Sequence, residues 1–314
     1  MCKNIVCPLC QSNAVVFITN KVRFDHEAEV YRCQACTLTF LNQDSFKFPN
    51  DFYEKQYHQT YLTHVEPDAL DPSAYFSKMK QATAPWAKKF SSMLKGHETI
   101  IDIGCSTGHF IDIVRHKTDT IYGMELNEKE IDFCRNTIGL DVSNAPLEKR
   151  FKENTFDYIT LIYVLEHIAK PIEFLTYLKR FLKSKGKIVI LVPNIEDPLV
   201  SFYDIAEFKI FYYCIEHLFY YNKHTMYRLL TETGLKGDVE VIQEYPITNH
   251  LSWIYRRRPS ETLTARKGVP DILLAEGANI EEWSLLWDKF NSIYKQFLNK
   301  NGYGDRLWCV VGKD

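Results

Sequence analysis

From residue 98 onward, near-continuous apolar runs alternate with segments whose apolar residues recur every three to four positions. The runs at 98–103, 120–125, 156–162 and 187–192 read as strands buried on both faces. A shorter strand is expected at 140–143. Helical spacing predicts helices over 108–116, from Asn127 onward, and over 171–183, the last followed by a turn at 184–186. Asn127 stands three residues before Glu130, the spacing with which a side chain caps a helix start. A helix over 223–233 ends at Gly234, a C-cap position, before a strand at 238–245, and a last strand spans 304–312. Repeated strand–helix units of this kind demand an α/β fold with a mainly parallel sheet covered on both faces.

Before residue 97 the pattern changes. Short strands are expected at 14–19, 29–32 and 38–41. Residues 43–95 are dense in aromatics, with helical spacing over 73–93, which fits either a lid over a cleft or ordinary core packing. The expected organisation is a small ribbon at 1–42, a helical lid or linker at 43–96, the α/β core at 97–245, an insertion at 246–303 that is mostly helical over 280–300, and a final core strand at 304–314. An insertion of that length shapes a substrate pocket or a contact surface.

Composition narrows the class. The chain has 314 residues, 46% hydrophobic and 25% charged, the profile of an ordinary globular protein. No run of about 18 apolar residues occurs, and Met1-Cys2-Lys3-Asn4 opens no apolar signal core, so a cytoplasmic protein without membrane contact is expected. The net charge is −2, and the one dense basic run, Arg256-Arg257-Arg258 with Arg266 and Lys267 nearby, suits a solvated loop or a local anion site. A nucleic-acid face would carry a marked basic balance.

Nine cysteines do not complete a disulfide framework. Four stand in two knuckles, Cys7-Pro8-Leu9-Cys10 and Cys33-Gln34-Ala35-Cys36. Paired C-x2-C knuckles place four thiolates around Zn²⁺, and the metal supplies folding energy that a segment of roughly 40 residues lacks. With all four positions filled by sulfur, such a site is structural. Cys2, Cys105, Cys134, Cys214 and Cys309 are left over, three of them in or beside apolar patterns.

The strand at 98–103 runs into Gly104-Cys105-Ser106-Thr107-Gly108 and then a helix. Glycine admits positive φ and close approach of a ligand, and the helix start offers unpaired N–H groups. Glu125 closes the second strand, where a carboxylate accepts hydrogen bonds from both ribose hydroxyls of an adenosine. Dinucleotides and S-adenosylmethionine (SAM) share that geometry, but the dinucleotide fingerprint G-x-G-x-x-G is absent. The run D-I-G-C-S-T-G resembles the D-x-G-x-G-x-G of class I SAM-dependent methyltransferases, with Ser106 at the middle glycine, a substitution compatible with negative φ.

The resemblance extends to F-D-Y-I-T-L-I-Y-V-L-E-H-I-A-K-P at 156–171 and G-K-I-V-I-L-V-P-N at 186–194, the fourth- and fifth-strand motifs of that family. The two-knuckle module and Ile215-Glu216-His217-Leu218-Phe219-Tyr220-Tyr221 resemble bacterial nucleotide-sugar methyltransferases, including C-methyltransferases of deoxysugar pathways. The resemblance implies a Rossmann-like sheet, parallel with an antiparallel last strand. It implies that Asp102, Gly104, Ser106 and Gly108 lie at the methionine end of SAM, that Glu125 holds the ribose with Leu126 beside the adenine, that Leu147 belongs to the adenine edge, and that Tyr163 lines the cleft.

Methyl transfer from a sulfonium needs an aligned nucleophile and a base. Two Glu-His pairs are expected at the C-terminal edge of the sheet, Glu166-His167 and Glu216-His217. The resemblance assigns the base to the second pair, so His217 is the expected general base with Glu216 in support, and His167 orients the loop or shares the role. Tyr213 and Tyr221 are candidate substrate partners, and the run 249–253 and the arginines at 256–258 are candidate acceptor contacts. The expected acceptor is a small molecule, a nucleotide-linked sugar. The competing readings are an rRNA or tRNA base methyltransferase with an N-terminal zinc module, and a SAM-fold binding protein without catalysis.

Overall fold

The computed structural model describes residues 5–47, 52, 70–118, 120–203, 205–259 and 280–313. In chain order the strands are β1 (Val15–Val22), β2 (His26–Cys33), β3 (Thr39–Leu41), β4 (Thr99–Ile103), β5 (Thr120–Met124), β6 (Val142–Ser143), β7 (Phe156–Ile162), β8 (Leu182–Pro193), β9 (Phe219–Tyr220), β10 (Lys236–Ile242) and β11 (Arg306–Gly312). The main sheet has the order β10-β11-β8-β7-β4-β5-β6. Strands β4 to β8 pair in parallel, while β11 is antiparallel to both β8 and β10.

Alternation along the buried strands sends neighbouring residues to opposite faces. Ile100, Val189 and Leu191 meet Trp86 and Phe90 of the helix Pro72–Ser91 and Phe110 of the helix His109–Val114. Ile101, Ile188 and Ile190 meet Leu175, Leu178 and Phe181 of the helix Pro171–Phe181 and Met226 and Leu229 of the helix Lys223–Glu232. Asn127 caps the helix Glu128–Phe133, its side-chain oxygen accepting from the Lys129 and Glu130 amides. Gly234 takes the left-handed conformation past the helix end.

One expected turn is absent. Residues 184–186 lie inside β8, which starts at Leu182 opposite Phe156 and resumes opposite Tyr158 at Lys187 across a register shift. A Cβ at Gly186 would come within 2.7 Å of the Phe156 carbonyl, so the glycine serves this close approach.

The ribbon forms a second sheet, β1-β2-β3-β9, whose last strand comes from the α/β region. Thr39 pairs with Tyr220 and Phe40 with Phe219, and the Leu41 amide donates to the Leu218 carbonyl. Leu38 and Phe40 therefore share one core with Leu218, Phe219 and Tyr221. The insertion contributes the helices Ile247–Arg256 and Ile280–Asn301; residues 260–279 between them, and most of the aromatic stretch before residue 70, lie outside the described residues. Among the described residues no helix is long and apolar enough to cross a membrane.

Candidate functional site

Strand β4 delivers the chain into the glycine turn at the C-terminal edge of the sheet. Gly104 has φ +69, and a Cβ there would lie 2.7 Å from Val164. Gly108, at φ +76, opens the helix His109–Val114. Ser106 departs from expectation: its φ is +50, not negative. A non-glycine residue in this region costs on the order of 1 kcal/mol. Two bonds offset that cost, the Ser106 amide donating to Glu125 Oε2 at 2.9 Å and its hydroxyl to Glu130 Oε1 at 2.8 Å.

Glu125 stands one residue beyond β5. The amides of Leu126 and Asn127 donate to its Oε1 at 2.6 and 3.0 Å, so three backbone N–H groups orient the carboxylate. Burial, with Glu130 nearby, nonetheless raises its pKa. Asp102 lies beneath the turn, where Thr160 Oγ1 donates to its Oδ1 at 2.5 Å and burial pushes it up to about 7.

These groups line a cavity of about 360 Å³, bounded by Asp102, Gly104, Ser106, Glu125, Leu126 and Tyr163 and covered by Tyr75 and Met79 of the helix Pro72–Ser91. Its size and its apolar walls with few convergent polar groups suit a nucleoside-sized ligand. Leu126 is 43% exposed at the rim. Gly108 shapes the turn without lining the cavity, and Leu147 is buried in the core away from it.

Tyr163 also has positive φ, +57. Arg306 Nε donates to its hydroxyl at 2.7 Å, and that hydroxyl donates to Glu244 Oε2 at 3.1 Å; Glu244 also takes Arg306 Nε at 3.0 Å and Trp86 Nε1 at 3.1 Å. This network joins three segments distant in sequence. The one sequence signal is Asp305-Arg306 opening an otherwise apolar last strand.

The two Glu-His pairs do converge. His167 lines the cavity and its Nδ1–H donates to the Glu216 carbonyl at 2.9 Å. The His217 ring stands edge-on to it, 4.9 Å between centroids. The Glu166 carboxylate and both imidazoles lie within 4.8 Å of one another. Burial holds His167 down at about 4 and His217 well below its ordinary range, the latter also through His167, Arg23 and Arg306, so both rings are neutral. Glu166 is buried with neither carboxyl oxygen hydrogen-bonded, and burial pushes it up to about 8. Tyr221 is likewise buried with an unsatisfied hydroxyl.

The insertion residues proposed for acceptor contact lie elsewhere. Trp253 packs on Phe208 and Phe211, and His250 Nδ1 lies 2.6 Å from the Tyr294 hydroxyl. Both are buried.

In the ribbon, Cys7 Sγ lies 3.6 Å from Cys36 Sγ and Cys10 Sγ 3.5 Å from Cys33 Sγ, all four within 4.8 Å. A tetrahedron of 2.3 Å metal–sulfur bonds has edges of about 3.8 Å, so the thiols fit a divalent metal. The Cys36 amide points at Cys33 Sγ, and Gln11 and Thr37 take positive φ to close the knuckles.

Residues 75–240, more than half of the chain, match a family described as a methyltransferase domain. An uncharacterized protein of Methanocaldococcus jannaschii is 32% identical over 131 residues, 40% of this chain and 52% of that protein. Demethylmenaquinone methyltransferase of Oceanobacillus iheyensis is 23% identical over 154 residues, 46% of this chain and 63% of that enzyme. The match thus spans between about half and two thirds of these relatives. Among solved structures, a SAM-dependent methyltransferase from Archaeoglobus fulgidus aligns with a TM-score of 0.48 at 18% identity, covering 75% of this chain and 94% of that one.

Proposed function

Because the chain belongs to the methyltransferase-domain family, we propose that it transfers a methyl group from SAM to a small-molecule acceptor, a nucleotide-linked sugar, with His217 as general base and a structural Zn²⁺ on Cys7, Cys10, Cys33 and Cys36. The observation that carries the reading is the Glu125 carboxylate, held by three backbone N–H groups across from the Gly104–Ser106 turn. A carboxylate fixed there accepts from paired ribose hydroxyls, and Leu126 offers an apolar face to the base.

SAM supplies an electrophilic methyl on a sulfonium. Gly104, Ser106, Glu125 and Leu126 would hold it, and on giving up the methyl its sulfur would keep the bonding electron pair and leave as a neutral thioether. The protein's part is alignment and proton removal. A neutral His217 takes the acceptor proton, with Glu216 supporting the loop and His167 holding its carbonyl. The net charge of −2 favours this reading over an RNA substrate.

The test is incubation of the zinc-loaded protein with methyl-labelled SAM and separate pools of nucleotide sugars and RNA. Label in the small-molecule pool is expected; label in RNA alone would replace this reading with the nucleic-acid one.

A further inference from the structure

In the helix Ile280–Asn301, 22 residues long, Trp283, Leu286, Phe290, Ile293 and Phe297 recur at intervals of three and four. That spacing puts all five on one stripe of the helix surface. Each is between 38% and 65% exposed. A different side of the helix docks on the core: Leu298 is buried, the Asn291 and Asn299 side-chain oxygens accept from the amides of Ile247 and Gln243, and Lys295 Nζ donates to the Glu244 carbonyl at 2.6 Å. The helix is thus held in place with an apolar face turned to solvent.

Side chains of this size and exposure present roughly 600 Å² of apolar surface in one patch, the upper end of what a lone chain ordinarily leaves in water. Two such patches joined bury about 1,200 Å², enough for a specific interface at the small end of the stable range. Around the stripe stand Asp288, Lys289, Ser292 and Gln296, all exposed, a mixed polar rim of the kind that surrounds protein interfaces. A helix lying on anionic lipid carries a basic face instead. The order of the stripe indicates its partner. With Lys300 the positions are 283, 286, 290, 293, 297 and 300, intervals of 3-4-3-4-3 that read the same in both directions. An antiparallel copy therefore matches it position for position: Leu286 meets Phe297 of the partner subunit, Phe290 meets Ile293 of the partner subunit, and Lys300 meets the ring of Trp283 of the partner subunit. A parallel copy would set the Lys300 charge against its own equivalent.

We propose that this stripe pairs with its counterpart on a second copy of the chain, the two helices running antiparallel across a two-fold axis that passes between Phe290 and Ile293. The pairing reaches toward the cofactor cavity. Lys295 and Asn299 tie the same helix to Glu244 and Gln243, and Glu244 accepts from the hydroxyl of Tyr163, a residue of the cavity wall. A second copy therefore braces the helix that supports this wall. The pairing is independent of which ligand the cavity holds.

Light scattering on the zinc-loaded full chain during size exclusion, over a dilution series reaching about 100 μM, tests it. The parent elutes at twice the chain mass and dissociates on dilution. Leu286→Glu and Phe297→Lys, each at an exposed position, elute as monomers with SAM affinity within twofold of the parent. An equimolar mixture of the two variants recovers a dimer, because the introduced charges are opposite in sign and face each other across the antiparallel seam. A parent that stays monomeric, a dimer that survives either substitution, or a mixture that stays monomeric overturns the proposal. A monomeric parent that sediments with phosphatidylglycerol vesicles, and no longer does so with Phe297→Lys, gives the stripe to a membrane instead and overturns it equally.

Discussion

The Ser106 amide donates to the Glu125 carboxylate at 2.9 Å, joining the turn after β4 to the tip of β5. The bond requires residue 106 to turn its amide inward at φ +50. Ser106→Gly removes the Cβ penalty but also the hydroxyl bond to Glu130, two contributions of about 1 kcal/mol each. Thermal unfolding of that variant is expected to stay within about 1 kcal/mol of the parent. Ser106→Val, with a β-branched side chain at positive φ, is expected to lose about 2–3 kcal/mol.

Glu166 sets a pH dependence whose sign is fixed. Its folded pKa of about 8 exceeds the ordinary carboxyl value, so between the two the folded state holds a proton that the unfolded state has lost. Stability then falls as pH rises from about 4.5 to 8. Glu166→Gln removes that dependence, so its melting temperature relative to the parent climbs across this window and levels off above it. A flat difference from pH 5 to 9 would refute a buried, protonated Glu166.

Removal of the proposed zinc is expected to reach beyond the ribbon. β3 pairs with β9, and the Arg23 amide donates to the Tyr213 carbonyl, so the ribbon braces both ends of the segment carrying Glu216 and His217. Chelation or Cys33→Ser is expected to speed hydrogen exchange at 213–221 while the β4–β5 turn stays protected. Cobalt loading of the parent should give thiolate charge-transfer absorption that Cys33→Ser loses.

His217 does not line the cofactor cavity, whereas His167 does. As His217 is the proposed base, His217→Ala is expected to lower kcat by about 10²–10⁴, and, because the residue lies outside the cavity lining, to leave SAM affinity within twofold. A variant with unchanged turnover would remove His217 from the base role.

Elements whose signal is local were legible in the chain. The apolar runs of β4, β5 and β7, the Asn127 cap and the cysteine spacing each report physics contained within a few residues. Ser184-Lys185-Gly186 misled because turn chemistry yielded to pairing of Leu182 with Phe156 across the sheet. The φ of Ser106 was hidden because its compensation comes from Glu125 and Glu130, remote in sequence. Likewise, Phe219 and Tyr220 read as part of an aromatic run, and nothing local tells that they finish the ribbon sheet. Leu147 fits the adenine-edge position by order along the chain, but its side chain turns into the core. The Tyr163–Glu244–Arg306 network joins three distant segments and has no signature beyond one arginine in an apolar strand.

The central claim is that the pocket closed by Glu125 holds SAM. Titration of SAM into the parent and into Glu125→Ala tests it most directly. One SAM per chain is expected, with affinity reduced by roughly 10- to 100-fold in the variant, the loss that follows from removing about 1.5–3 kcal/mol of hydrogen bonding to a charged group. Equal affinity in the two proteins, or no binding to the parent, would contradict it.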